Sequence, residues 1–141
     1  EVRVRYAETD QMGYVYYGNY ASYYEVGRVE AMRNLGLRYA DLESKYKIFM
    51  PVMSMDSRFV RPARYDDLLI LETRISKLPA ETIKFRTDIY NQDGKLVNSG
   101  TVKLFFLDSL TNKRVSTPDI ILDRLNKYFE IWLECVLNPI V

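Results

Sequence analysis

A chain of 141 residues suits one domain around a single core, and its balance of 48% hydrophobic and 28% charged residues excludes an intrinsically disordered chain. A formal charge of +1 gives no global field of the kind that gathers nucleic acid. There is no histidine and only one cysteine, Cys135, which excludes Ser-His-Asp triads, Cys-His pairs and histidine or thiolate-rich metal sites, and leaves acid–base chemistry to Asp, Glu, Lys, Tyr or backbone dipoles.

In chain order, Val2, Val4 and Tyr6 alternate with Arg3 and Arg5, which predicts a short half-buried first strand with Asp10 at its end. Residues 9–18 read as a connection carrying Gly13 and Gly18. Asn19 then stands as a helix N-cap. Behind it Tyr20, Tyr23, Tyr24, Gly27, Ala31 and Leu35 recur at helical spacing and form one buried face, with Arg28 and Arg33 off it and Gly36 as the stop. Gly27 inside this helix is tolerable where another backbone packs closely, as a wrapping sheet would. Residues 39–46 predict a short second helix or turn. Strands follow over 49–60, 68–75, 82–90 and 96–107, with Pro51 marking an edge or a bend. In the third of these, Ile83, Phe85, Thr87 and Ile89 share the inner face, and Asn91-Gln92-Asp93-Gly94 turns it into an antiparallel hairpin. Pro118 and Asp119 open a last helix to about Glu130, followed by an apolar tail. One long helix and then a run of antiparallel strands is an α+β order, with the sheet wrapped round the helix.

No basic segment followed by an apolar run opens the chain, and no apolar run approaches the roughly 20 residues needed to span a bilayer. Together with the lone Cys135, which an apolar neighbourhood marks for packing, this predicts a cytoplasmic protein without membrane insertion.

The chemistry-bearing stretch is Tyr6-Ala7-Glu8-Thr9-Asp10-Gln11-Met12-Gly13-Tyr14-Val15-Tyr16-Tyr17-Gly18-Asn19-Tyr20. Asp10 precedes a helix start, where unpaired N–H groups and partial positive charge can hold a developing oxyanion. A nearby carboxylate can attack a thioester carbonyl or activate water. The alternative is that Asp10 only caps a turn.

This run resembles the signature of the 4-hydroxybenzoyl-CoA thioesterase and YbgC/FadM-type acyl-CoA thioesterases. The matching residues are Glu8, Thr9, Asp10, Gly13, Tyr16, Tyr17, Gly18, Asn19, Tyr20 and Glu25. The resemblance implies a hotdog fold over one domain of residues 1–141, and hydrolysis of an acyl-CoA to free acid and CoA. It makes Asp10 the nucleophile or general base, the N–H groups of Tyr17 and Gly18 the oxyanion donors, and Asn19 the cap. No metal or redox cofactor is implied, CoA being part of the substrate. Dimers or tetramers with active sites between subunits are expected. Many relatives carry histidine where this chain has Tyr17, and smaller residues where it has Gln11-Met12. A hotdog hydratase or dehydratase fits less well without a histidine, and an acyl-CoA or acyl-carrier-protein binder with Asp10 idle is the rival reading.

Other residues are weighed beside these. Tyr14, Tyr16, Met50, Met53 and Met55 are acyl-pocket candidates set against core packing. Arg61, Arg64, Lys113 and Arg114 are candidates for the CoA phosphates, and the basic cluster Arg58, Arg61 and Arg64 otherwise reads as plain surface charge. Glu8 is expected to face solvent rather than couple to Asp10. Glu25 belongs either to the interface or site, or to a surface ion pair.

Overall fold

A computed structural model describes the backbone of residues 1–137 and the side chains through residue 130. The expected packing of Cys135 and the apolar tail lie outside the described residues.

The element order is β1 (Val2–Arg3), α1 (Tyr20–Asn34), α2 (Tyr39–Ser44), β2 (Ile48–Phe49), β3 (Val52–Phe59), β4 (Leu68–Arg74), β5 (Thr82–Tyr90), β6 (Leu96–Asp108), β7 (Lys113–Val115) and α3 (Asp119–Leu137). Two 3₁₀ turns, Tyr6–Glu8 and Tyr17–Asn19, flank the loop that carries Asp10. All pairings are antiparallel, in the order β1-β4-β5-β6, with β3 and β2 on the far side of β6. The strand expected over 49–60 is thus two: Pro51 cannot donate to the ladder, so pairing breaks there and resumes at Val52. The last helix runs seven residues past its expected end, to Leu137.

Alternation sets the faces. Ile83, Phe85, Thr87 and Ile89 of β5 are all buried beneath α1, as their spacing predicts. Val102, Leu104 and Phe106 of β6 continue that floor. On the outer face Asp88 is buried too, because Arg74, Arg86 and Ser99 close over its carboxylate. At the β5–β6 turn, Asn91 Oδ1 accepts from the N–H groups of Asp93 and Lys95, and Gly94 takes φ +70°.

Helix α1 lies across the inner face with Tyr20, Tyr23, Tyr24 and Gly27 buried. Arg28 and Met32 complete the buried stripe, while Ala31 and Leu35 are only half-buried, so the stripe drifts from its predicted line. Arg28 is enclosed with the stripe, and one of its guanidinium nitrogens lies 3.7 Å from the exposed Glu25 carboxylate. Tyr24 hydrogen-bonds Ser57 of β3 and Asn98 of β6, which ties the helix to the sheet's outer strand. Gly36 ends the helix at φ +77°.

Candidate active site

The first strand stops sooner than alternation predicts. Val4 still exchanges main-chain bonds with Asp66 and Asp67, but the chain then winds into the turn Tyr6–Glu8 and leaves Tyr6 78% exposed. The cause is Glu8. Its carboxylate turns back to accept from the Arg5 main-chain N–H at 2.8 Å and from the Arg5 guanidinium at 2.6 and 2.9 Å. It also accepts the Tyr23 hydroxyl at 2.8 Å. Glu8 is therefore buried, at 7% exposure, and does not face solvent as expected. Burial pushes its carboxyl up, but the hydrogen bonds from Arg5 and Tyr23 outweigh this and hold it below the ordinary carboxylate value.

Asp10 consequently sits not at a strand end but in a tight loop. Thr9 bridges Val15, Asp10 N–H donates to the Tyr14 carbonyl at 2.9 Å, and Gly13 N–H returns to the Asp10 carbonyl at 2.9 Å. Gly13 takes φ +75°, a conformation that L side chains rarely adopt. One carboxylate oxygen of Asp10, Oδ1, accepts from Met12 N–H at 2.9 Å and Tyr14 N–H at 3.4 Å. The other, Oδ2, has no hydrogen bond among the described residues.

A cleft of about 380 Å³ opens beside this loop, lined by Asp10, Met12, Tyr14, Val15, Tyr17, Tyr20, Phe59, Val60, Arg61 and Pro62. Its walls are mostly aromatic and aliphatic, with Asp10 and Arg61 as the charged groups. The Tyr20 hydroxyl is pushed up to about 12, chiefly by burial, so it stays protonated near neutral pH.

The turn Tyr17–Asn19 leads into α1. The opening amides of such a turn have no preceding carbonyl in reach, and among the described residues those of Tyr17 and Gly18 donate to no acceptor. Asn19 is not the expected side-chain cap. Its backbone is already helical, at φ −72° and ψ −18°, and its amide donates to the Glu8 carbonyl at 2.7 Å instead. Tyr16, extended at ψ 132°, is where the helical run begins.

The remaining candidates divide. Tyr14 lines the cleft, and the Arg64 guanidinium lies 4.8 Å over its ring. Arg61 lines the cleft too, anchored to the Leu96 carbonyl at 2.8 Å. Tyr16 stays outside the lining, its exposed ring 4.6 Å from that of Tyr17. Met53 and Met55 project from β3 into solvent, and Met50 lines a small cavity with Tyr39 and Leu42, so none of the three joins the cleft. Lys113 and Arg114 stand on β7, paired to the far end of β6 from the cleft and roughly 30 Å along the strand. Glu25 is exposed, and among the described residues its ion pair is with Arg28. Sequence reasoning missed the cleft residues Met12, Val15, Phe59, Val60 and Pro62; only the exposed apolar run at the end of β3 hinted at them.

The family model described as "Thioesterase superfamily" matches residues 12–98. A putative acyl-CoA thioesterase of Bacillus subtilis (strain 168), YneP, is 34% identical over 82% of this chain and 83% of its own length. The acyl-CoA thioester hydrolase YbgC of Escherichia coli O157:H7 is 32% identical over 83% of this chain and 87% of its own. Among solved structures, the DHNA-CoA thioesterase of Staphylococcus aureus superposes with a TM-score of 0.84 and 29% identity, covering 99% of this chain and 93% of that one. An antiparallel sheet curled round one long helix, the match over residues 12–98 and these relatives agree: the chain is a hotdog-fold member of the thioesterase superfamily.

Proposed function

We propose that the protein hydrolyses an acyl-CoA thioester to a free acid and CoA, with Asp10 as the reacting carboxylate. The observation that carries this reading is the Oδ2 of Asp10, without a hydrogen bond among the described residues, in an apolar cleft that Tyr17 also lines, at the start of a turn where the Tyr17 and Gly18 amides donate to no described acceptor. The acyl group lies along Tyr14, Val15, Tyr20 and Phe59, and the thioester oxygen accepts from the two amides. As nucleophile, Asp10 bonds the carbonyl carbon while the C–S bond breaks and CoA leaves as thiolate; water then cleaves the mixed anhydride. As general base, it takes a proton from water as that water attacks, and the proton passes to the departing sulfur. In both routes the amides stabilise the negative oxygen of the tetrahedral stage. Arg61 and Arg64 border the cleft and are the basic groups best situated for the CoA phosphates. No metal takes part, since the chain lacks histidine and has one cysteine; prolonged chelation should leave turnover unchanged.

A second copy of the chain completes the site in this reading. Among the described residues strand β3 is a sheet edge, with Val52, Met53, Met55 and Phe59 on it and Val60 just past it all at least 40% exposed, and an unpaired apolar edge is a template for another strand. Phe59 and Val60 belong both to that edge and to the cleft, so a partner on the edge would border the substrate.

The rival reading is an acyl-CoA or acyl-carrier-protein binder, and one observation favours it: Oδ1 of Asp10 is already used to cap its own turn. Free-thiol release from a panel of acyl-CoAs, for the unaltered protein and for Asp10→Asn, separates the two. Asp10→Asn should lower turnover by about 10² or more, with binding of a non-hydrolysable acyl-CoA analogue retained. Equal turnover in both proteins would discard Asp10 as the catalyst.

A further inference from the structure

Glu8 is a buried carboxylate two residues from Asp10, and it touches no cleft residue other than through the loop. Its side chain joins two separate pieces of chain: Arg5, just past β1, and Tyr23 on the first turns of α1. Its main-chain carbonyl joins a third, accepting from Tyr16 N–H at 2.9 Å and from the Asn19 amide at 2.7 Å. Tyr16 and Asn19 flank Tyr17 and Gly18. One residue therefore holds both partners of the proposed reaction: the turn Tyr6–Glu8 that leads into the Asp10 loop, and the turn presenting the oxyanion donors. At the other end the loop is anchored by Val15 N–H to the Ala63 carbonyl at 2.8 Å.

The bonding is specific to a carboxylate. Four donors converge on its two oxygens: the Arg5 main chain, two guanidinium nitrogens of Arg5 and the Tyr23 hydroxyl. A surface glutamate serving only as an ion-pair partner of Arg5 would not need to be buried or to reach a helix hydroxyl. Mere capping of the turn Tyr6–Glu8 would need only the Arg5 N–H.

We propose that Glu8, together with Tyr23, is a positioning residue that sets Asp10 against the Tyr17 and Gly18 amides; this rests on the reading of Asp10 as the reacting carboxylate. Because Glu8 touches neither substrate nor reacting atoms, it acts on the rate solely through Asp10 and the donors. Loosening it should lower kcat more than it changes KM, since Tyr20 and Phe59 of the acyl wall lie outside the Asp10 loop and Val15 keeps its own bond to Ala63.

The test is a double-mutant cycle on acyl-CoA hydrolysis, with kcat and KM measured for the full chain. Glu8→Gln should lower kcat by about 10-fold, in line with the cost of misplacing a reacting group, and leave KM within about 2-fold. Tyr23→Phe, which deletes one hydrogen bond and leaves the ring in the core, should lower kcat by about 5-fold in the same pattern. In the Asp10→Asn background neither change should cost anything further, because the group they position is gone. Losses that multiply with that of Asp10→Asn, or that fall on KM, overturn the proposal and make Glu8 a structural tether. Tyr23→Phe serves as the probe if Glu8→Gln fails to fold. Unaltered turnover in Asp10→Asn itself would remove the reading of Asp10 and this proposal with it. A large loss in Asp10→Asn with none in Glu8→Gln or Tyr23→Phe would remove this proposal alone.

Discussion

Gly27 of α1 rests against the side chain of Thr73 on β4 so closely that a Cβ on the glycine would overlap the threonine hydroxyl. That hydroxyl is itself engaged, sharing a hydrogen bond of 2.9 Å with Thr87 on β5. The pair fixes how near the helix lies to the sheet. Gly27→Ala gains about 1 kcal/mol of helix propensity but meets an overpacking cost of about 1–3 kcal/mol. The expected net cost of up to about 2 kcal/mol lowers the thermal midpoint by up to roughly 8 °C, measured by calorimetry. A midpoint raised by the substitution would show that the helix can lift off the sheet without penalty.

At Tyr17 the ring is 66% exposed and the main chain is the proposed donor. Tyr17→Phe should therefore keep kcat/KM within about 3-fold, because amide donors do not depend on the phenol. A loss of about 10² would assign the hydroxyl a direct part in proton transfer, in the position where many relatives have histidine.

On β3 a charge should oppose pairing with a second copy. Met55 is 49% exposed on the edge and is not a cleft residue, so Met55→Lys tests assembly separately from chemistry. Sedimentation velocity should show the unaltered protein as a dimer or larger at micromolar concentration, and Met55→Lys shifted toward monomer with lower specific activity. A stable, fully active monomer of the unaltered chain would rule out a site completed by a partner.

Acid should unfold the protein through its buried carboxylates. In Asp88 burial raises the carboxyl, but Ser99, Arg74 and Arg86 together bring it below its ordinary value, and Glu8 is lowered in the same sense by Arg5 and Tyr23. A lowered folded value means that the unfolded chain binds more protons. The stability these two groups contribute is complete above the ordinary carboxylate range, roughly pH 4–4.5, and is lost as pH falls through the folded values. Thermal midpoints recorded from pH 7 to 3 should stay level to about pH 5 and then fall. Glu8→Gln should be less stable at pH 7 and show a shallower acid fall; an unchanged slope would mean that Glu8 does not titrate with folding.

Much of the architecture follows from local rules. The two-residue alternation of 82–90, the Asn91–Gly94 turn and the glycine after Leu35 place strands and helix ends to within a few residues, because each depends on neighbours in the chain. The run from Glu8 to Tyr20 likewise carries the family in residues that can be read without coordinates. What local pattern does not contain is which distant group meets a polar side chain. Glu8 reads as a solvent-facing residue of a strand until Tyr23, fifteen positions on, is brought over it by the docking of α1. Asn19 reads as a cap until the Glu8 carbonyl arrives to take its amide. Arg28 reads as lying off the buried face until α1 docks and encloses it, and the burial of Asp88 appears only where Arg74 of β4 and Ser99 of β6 meet it. The cleft itself is made by the Asp10 loop and the end of β3, some fifty residues apart in the chain, and an apolar wall becomes part of a site only where packing leaves it uncovered. Periodicity along the chain reports which face of an element is buried; hydrogen-bond partners and open space are properties of how the elements meet.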